Sequence, residues 1–489
     1  MKMKISRFLS LLFLYLTTCS FYDPPGQKTS RPNILIILTD QWRGQALGIL
    51  KAEGVKTPNL DSFAARALVC NQAITNYPLC SPSRATILTG KYPLQHKVYS
   101  NVNSASTPYG VELPPDMITW SDILKDNGYA NGYIGKWHLD SPHKPYIATA
   151  NNKGNTAWNE WTPPARRHGF DFWYAYGTYD DHNRPMYWET DAGREEFHFV
   201  DQWSPEHEAD KAIGFLKNSG GKYRDPARPF SLVVSVNPPH SEYKKVPAHY
   251  VDLYKDMPLE KLLSDPDIPA AGTEMGDLYR ENIKYYYACM SGVDDQVGRI
   301  FKQLRQSGLD KNTIIIFMAD HGNCLGKHDQ ISKNTFYEES VRIPFIVNWS
   351  GHISPGVDNE LLFSAVDIYP TLLGLVSLPN PSGNRVDGSD LSSYFLNRRG
   401  NVPDLQFFMG AVNAANKNSG FRGIRTAKYK LVYEGTGNKQ KRYLFDIGAD
   451  PFELKNIYID GSTVASDLER HLKKWLDKTD DPYILNGLH

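Results

Sequence analysis

Four short apolar runs constrain the fold of this chain more than any other feature: Ile34-Leu-Ile-Ile-Leu38, Phe230-Ser-Leu-Val-Val-Ser-Val236, Thr313-Ile-Ile-Ile-Phe-Met318 and Pro344-Phe-Ile-Val-Asn-Trp349. They are continuous rather than alternating. A strand facing water on one side alternates, whereas one covered by helices on both faces does not, so the runs predict a mostly parallel sheet. Helical segments lie between them. The clearest spans about Asp277 to Ser307, with Val293, Val297, Ile300, Phe301 and Leu304 at three- and four-residue spacing and Gly308 as a stop. Alternation of this kind predicts an α/β fold. Polar residues follow the runs: Thr39-Asp40-Gln41, Asn237-Pro-Pro-His240 and Ala319-Asp320-His321-Gly322. Ligands of open α/β sheets bind at the carboxyl ends of strands, so Asp40, His240, Asp320 and His321 are predicted to share one site.

The 489 residues are enough for one large domain and a smaller one. After about Val376 the texture changes. Pro379 to Asp387 is rich in turn formers, Arg422 to Tyr433 carries Tyr and Lys, and Val464 to Leu476 reads as an amphipathic tail helix. A domain at 31–376 and a smaller α+β subdomain at 377–489 are therefore expected. A formal net charge of zero provides no global field for nucleic acid. The N-terminus is basic through Arg7 and apolar from Phe8, too short to span a bilayer, and Leu16-Thr17-Thr18-Cys19 resembles a bacterial lipobox. Residues 1–19 are expected to be a signal peptide, with a lipid anchor at Cys19 or plain cleavage, and 20–30 a tether. Either reading exports the protein to the periplasm or to the outer membrane as a lipoprotein. The cysteines left after Cys19 are Cys70, Cys80, Cys289 and Cys324; they are widely spaced and form no zinc knuckle.

One segment decides the chemistry. Pro78-Leu-Cys80-Ser-Pro82-Ser-Arg84-Ala-Thr-Ile-Leu-Thr-Gly90 contains Cys-x-Pro-x-Arg. Pro82 suits the first turn of a helix over Ser83 to Leu88, which places position 80 at a helix N-terminus, where anions are stabilised. The segment matches the signature of the type I, formylglycine-dependent sulfatases of the alkaline-phosphatase superfamily. A second segment, Gly128 to Gly135-Lys136-Trp137-His138, resembles that family's second signature, with Asn131 where Ser or Thr is usual. Asp40-Gln41, Asp320-His321-Gly322, Gly326-Lys327-His328, Lys333 and the stretch from Leu444-Phe-Asp446 to Asn456 resemble further family positions in order.

The resemblance implies an alkaline-phosphatase-like sandwich with a large mixed, mostly parallel sheet. It implies that a formylglycine-generating, sulfatase-maturing enzyme oxidises Cys80 to formylglycine, and that one calcium ion is held by Asp40, Gln41, position 80, Asp320 and His321. Lys136, Lys333 and Arg84 are then expected to bind the sulfate. His240 is expected to protonate the leaving oxygen, and His138 to act as the base that lets the second hydroxyl expel sulfate. For sugar contacts the segment from Trp158 to Trp203 nominates His182, Asn183, Arg184 and Trp188, with His328 added. The expected substrate is a sulfated oligosaccharide of the glycosaminoglycan or mucin type, first the 6-O-sulfate of N-acetylglucosamine, with galactose 6-sulfate or uronate 2-sulfate as alternatives. A phosphomonoester or phosphonate ester hydrolase, or a glycan-binding lipoprotein with unmodified Cys80, are the rival readings.

Overall fold

A computed structural model of the protein describes residues 31–486. The signal peptide expected at 1–19, the lipobox resemblance at Cys19 and the tether expected at 20–30 lie outside the described residues. Ten strands form the large sheet: β1 (Asn33–Thr39), β2 (Leu68–Cys70), β3 (Ala130–Lys136), β4 (Phe172–Tyr176), β5 (Met186–Glu189), β6 (His198–Phe199), β7 (Phe230–Val236), β8 (Thr313–Ala319), β9 (Phe345–Trp349) and β10 (Gly356–Asp358). Their spatial order is β10-β2-β9-β8-β1-β7-β3-β4-β5-β6. The five central strands, β8-β1-β7-β3-β4, are mutually parallel, and β5, β6 and β9 run antiparallel to their neighbours. The four apolar runs became β1, β7, β8 and β9. In β7 and β8 every residue is buried, as a strand covered on both faces requires.

The longest helices of the described residues are α1 (Cys80–Thr89), which opens at the site, α2 (Ser204–Lys217), α3 (Glu274–Gln306) and α4 (Thr463–Lys478). Gly90 ends α1 with φ at 64°, and a Cβ there would lie 2.8 Å from the Cβ of Tyr369, so only glycine serves. A second sheet, antiparallel in the order β11 (Gln406–Gly410), β12 (Phe421–Arg425), β13 (Tyr429–Glu434) and β14 (Lys441–Asp446), completes the C-terminal part. The hydrophobic core runs without a break past the texture change at 377: Leu373 and Leu375 belong to the same buried cluster as Leu378, Phe395, Met409 and Trp475.

Candidate active site

The parallel strands deliver the site as their register dictates. Asp40 follows β1 and donates its backbone N–H to the Val236 carbonyl of β7; Asp320 follows β8 and donates to Thr39 of β1. Lys136 is the last residue of β3. At Gly135 a Cβ would sit 2.1 Å from the Ser235 carbonyl oxygen, so this glycine lets β3 approach β7 and sets the height of Lys136. Asn131, unusual for the motif, fills its place by donating to Ser121 O and Gly169 O and accepting from the Ser231 hydroxyl.

Cys80 is the first residue of α1, a helix in which every residue is buried. Its sulfur stands where the oxygens of a hydrated formylglycine would be. Around it lie Lys333 Nζ at 3.0 Å, His321 Nε2 at 3.4 Å, Asp40 Oδ1 at 3.6 Å and Lys136 Nζ at 3.9 Å. Burial and Asp40 work against ionisation of the thiol, but Lys136, Lys333 and His321 outweigh them and hold it well below the usual thiol value. Lys136 Nζ also pairs with Asp40 Oδ2 at 2.8 Å and donates to Asn237 Oδ1 at 3.1 Å.

Arg84 is nearly fully buried beneath this ring. Its Nε donates to Asp320, one terminal nitrogen to both the Lys136 carbonyl and the Ser235 hydroxyl, and the other to Asp40. Four of its five N–H groups are thus engaged. Beyond the contact with sulfate expected from the motif, Arg84 braces the two carboxylates.

The donor set suits a divalent cation. Asp40, Cys80, Asp320 and His321 bring ligand atoms within 4.8 Å of one another, all buried. His321 Nδ1 lies 2.9 Å from the Gly322 carbonyl and donates to it, which turns Nε2 toward Asp40 Oδ1 and Asp320 Oδ1, each 3.5 Å away. Two fully buried carboxylates converging on one point of a dry site call for a cation between them. Gln41 agrees. Its amide nitrogen is tied to the hydroxyls of Ser332 and Tyr243, and its Oε1 is buried with no donor. Burial and the neighbouring Asp40 push Asp320 up to about 6, while Asp40, despite burial, is held well below the carboxylate range by Lys136, Lys333, His240 and His321.

Two histidines reach the site from other elements, His138 beside Cys80 and His240 near Asp40. His138, at a φ of 60°, has its Nε2 3.0 Å from the Val102 carbonyl, which makes Nε2 the donor and leaves Nδ1 buried without a partner. Burial lowers its pKa, so the ring is neutral and Nδ1 is an available base. His240 follows β7, with Nδ1 2.7 Å from Ser241 O and 3.3 Å from Asp180 Oδ1. Burial, Lys333 and Lys136 oppose its charge, but Asp180 and Asp40 prevail and lift it to about 9.

The expected sugar contacts are placed otherwise. His182 is fully buried, its Nε2 donating to the His240 carbonyl at 3.1 Å. Trp188 is a core residue of β5, with Nε1 bonded to Arg194 O. His328 lies against Asp267 and Glu339, stacked on Tyr337, rather than at Cys80. It belongs to a second acidic group in which the Lys327 ammonium already pairs with Asp267 and Glu339. Asn183 and Arg184 are exposed, and Arg184 pairs with Asp201 and covers Phe199. Sequence reasoning left Asp180, Asn237, Ser235, Tyr243 and Ser332 without a role. Asn237 and Ser235 lie at the end of β7, where the strand-end rule that found Asp40 applies equally.

Residues 32–378 match the family described as Sulfatase, and residues 326–481 the one described as N-sulphoglucosamine sulphohydrolase, C-terminal. An endo-4-O-sulfatase of Bacteroides thetaiotaomicron is 37% identical, covering 95% of this chain and 96% of its own length. An N-acetylglucosamine-6-O-sulfatase of the same organism is 26% identical, over 97% of this chain and 90% of its own. Among solved structures, a Bacteroides fragilis chain described as the sulfatase yidJ superposes with a TM-score of 0.88 at 47% identity, covering 92% of this chain and 97% of that one.

Proposed function

The chain belongs to the sulfatase family and is a sulfuric ester hydrolase, and from that premise we propose that it removes ester sulfate from a sulfated glycan with position 80, matured to formylglycine, as nucleophile. The observation that carries this is the placement of Cys80: at a helix N-terminus, with two ammonium groups and an imidazole within 3.9 Å of its sulfur. A nucleophile ringed by fixed positive charge serves a reaction in which negative charge moves across a sulfuryl group. Lys136 and Lys333 hold the sulfuryl oxygens. Arg84 fixes the two carboxylates, and His138 Nδ1 takes the proton when sulfate is expelled. Asp40, Gln41, Asp320 and His321 would hold a divalent cation, a mostly hard-oxygen set that suits calcium, and the ion would neutralise charge and favour the ionised nucleophile.

On the sugar, the 4-O position is favoured over the 6-O position expected from the sequence. The relative named for endo-4-O cleavage shares 37% of its residues with this chain, the one named for N-acetylglucosamine 6-O cleavage 26%. The test is sulfate release, followed by ion chromatography, from chondroitin oligosaccharides sulfated at O4 alone or O6 alone and from N-acetylglucosamine 6-sulfate. Faster release from the 4-sulfated chains supports the assignment, and release confined to 6-sulfates refutes it. A mass loss of about 18 Da on the peptide bearing position 80 reports the maturation.

A further inference from the structure

The segment following β4 was expected to touch sugar, yet two of its polar residues, Asp180 and His182, turn inward to His240. Asp180 places Oδ1 3.3 Å from His240 Nδ1. The carboxylate is itself fixed: Asn151 Nδ2 donates to Oδ2 at 2.8 Å and Asn237 Nδ2 to Oδ1 at 3.2 Å. Asn237 accepts in turn from Lys136 Nζ, so the same amide spaces the sulfate-binding lysine from the carboxylate. Two residues on, His182 donates to the His240 carbonyl. The imidazole is held from its ring and from its backbone by one short stretch of chain.

We propose that Asp180 is a positioning residue that orients His240 toward the leaving oxygen, so that this site is built for sulfate esters of aliphatic sugar alcohols rather than of phenols. The inference rests on the sulfatase reading and deepens it. With Nδ1–H shared between Ser241 O and Asp180, the proton available for transfer is the one on Nε2. As the S–O bond to the sugar breaks, its electron pair stays on the sugar oxygen, which takes the Nε2 proton. The sulfuryl group gains its new S–O bond to the oxygen at position 80, and His240 is left neutral. A phenolate, with a conjugate acid near pKa 10, departs with little help, whereas a sugar alkoxide needs the proton. An oriented acid is therefore of use only for the poorer leaving group.

The experiment compares Asp180→Asn and His240→Asn with the wild type, all carrying formylglycine and calcium, on 4-nitrocatechol sulfate and on a 4-sulfated chondroitin disaccharide. Asp180→Asn is expected to lower kcat on the sugar sulfate roughly 10²-fold or more, and on the aryl sulfate at most several-fold. The alkaline limb of its sugar-sulfate pH profile should move to lower pH, and the double variant should be no slower than His240→Asn alone. Circular dichroism and the mass of the peptide bearing position 80 report that each variant is folded and matured. Equal losses on both substrates, an unmoved pH limb or additive losses in the double variant would overturn the role of Asp180 while leaving the sulfatase reading intact. A wild type that turns over neither ester would overturn that reading, and this inference with it.

Discussion

His328→Gln tests whether the loop that carries Lys333 is held by buried charge. His328 sits at a φ of 55° with its ring stacked on Tyr337, 3.8 Å between centroids. Its Nε2 is 3.1 Å from Glu339 and 3.3 Å from Asp267, and Lys327 of the same turn pairs with both acids. Burial opposes the charged ring, but the hydrogen bonds to Asp267 and Glu339 outweigh it and raise the pKa from 6.5 to about 9. At 1.36 kcal/mol per pH unit the rise corresponds to about 3 kcal/mol. Because the folded value lies above the unfolded one, this stability is fully present below about pH 6.5 and is lost as pH climbs through about 9. For a chain of this length the unfolding entropy is about 1 kcal/mol/K, so the expected effect is about 3 °C in Tm. Calorimetry of the holoenzyme and of His328→Gln from pH 6 to 10 should show that gap at pH 6. By pH 10 it should close to the smaller cost of the lost stacking. A difference that stays constant across the range, or widens with pH, would refute the ion-pair account.

Cys80→Ser should bind sulfated oligosaccharide with little change in Kd and yield no multiple turnovers, because one hydroxyl can accept the sulfuryl group but offers no second one to expel it; calorimetric titration alongside a sulfate-release assay separates the two. Chelation of the divalent cation should lower Tm as well as activity, since the buried Asp40 and Asp320 carboxylates then lose their shared counter-ion; readdition of a calcium salt to about 100 times Kd should return about 2.7 kcal/mol, and an unchanged Tm would count against the site. Trp188→Ala should destabilise the fold by about 3–5 kcal/mol through the cavity it opens, visible in denaturation curves, and should leave KM for the glycan near wild type if the protein is kept folded. Asn183→Ala, at an exposed position, should alter Tm by less than a degree or so, corresponding to the ±0.5 kcal/mol usual for surface changes.

Much of this was legible because hydrophobic periodicity and strand-end position are local signals. Four continuous apolar runs became β1, β7, β8 and β9, and Asp40, Asp320, His321 and His240 follow three of them into one pocket. The motif placed Cys80 at a helix start, where it is found. What the sequence did not disclose is which way polar side chains turn. Asp180-Asp181-His182-Asn183-Arg184 has the composition of a sugar-binding loop, yet Asp180 and His182 are spent on His240 while Asn183 and Arg184 face solvent. Aromatic residues carry the same ambiguity: Trp188 is as suited to a core as to a sugar platform, and only packing against β4 and Phe197 decides. Arg84 was recognised by its motif, but its partners, Asp40 and Asp320, come from residues 44 and 236 positions away.

The strand-borne and the loop-borne halves of the chemistry are held by different means. Asp40, Lys136, Asp320 and His321 stand at the ends of strands paired residue by residue in the centre of the sheet, so their spacing is set by β-sheet register and changes little with any one side chain. Lys333 and His240 come from loops, where no ladder fixes the backbone. Each loop instead has its own electrostatic clamp: Asp267, Glu339 and Lys327 around His328 five residues before Lys333, and Asp180 with His182 against His240. Buried charge is a costly way to hold a loop, since each ion must be desolvated, but it fixes direction as well as distance. A lysine that must meet the nucleophile at 3.0 Å and an imidazole that must aim one nitrogen outward both need direction, which apolar packing supplies poorly. The clamps should therefore tolerate substitution less well in kcat than in stability, the reverse of what is expected for the strand core.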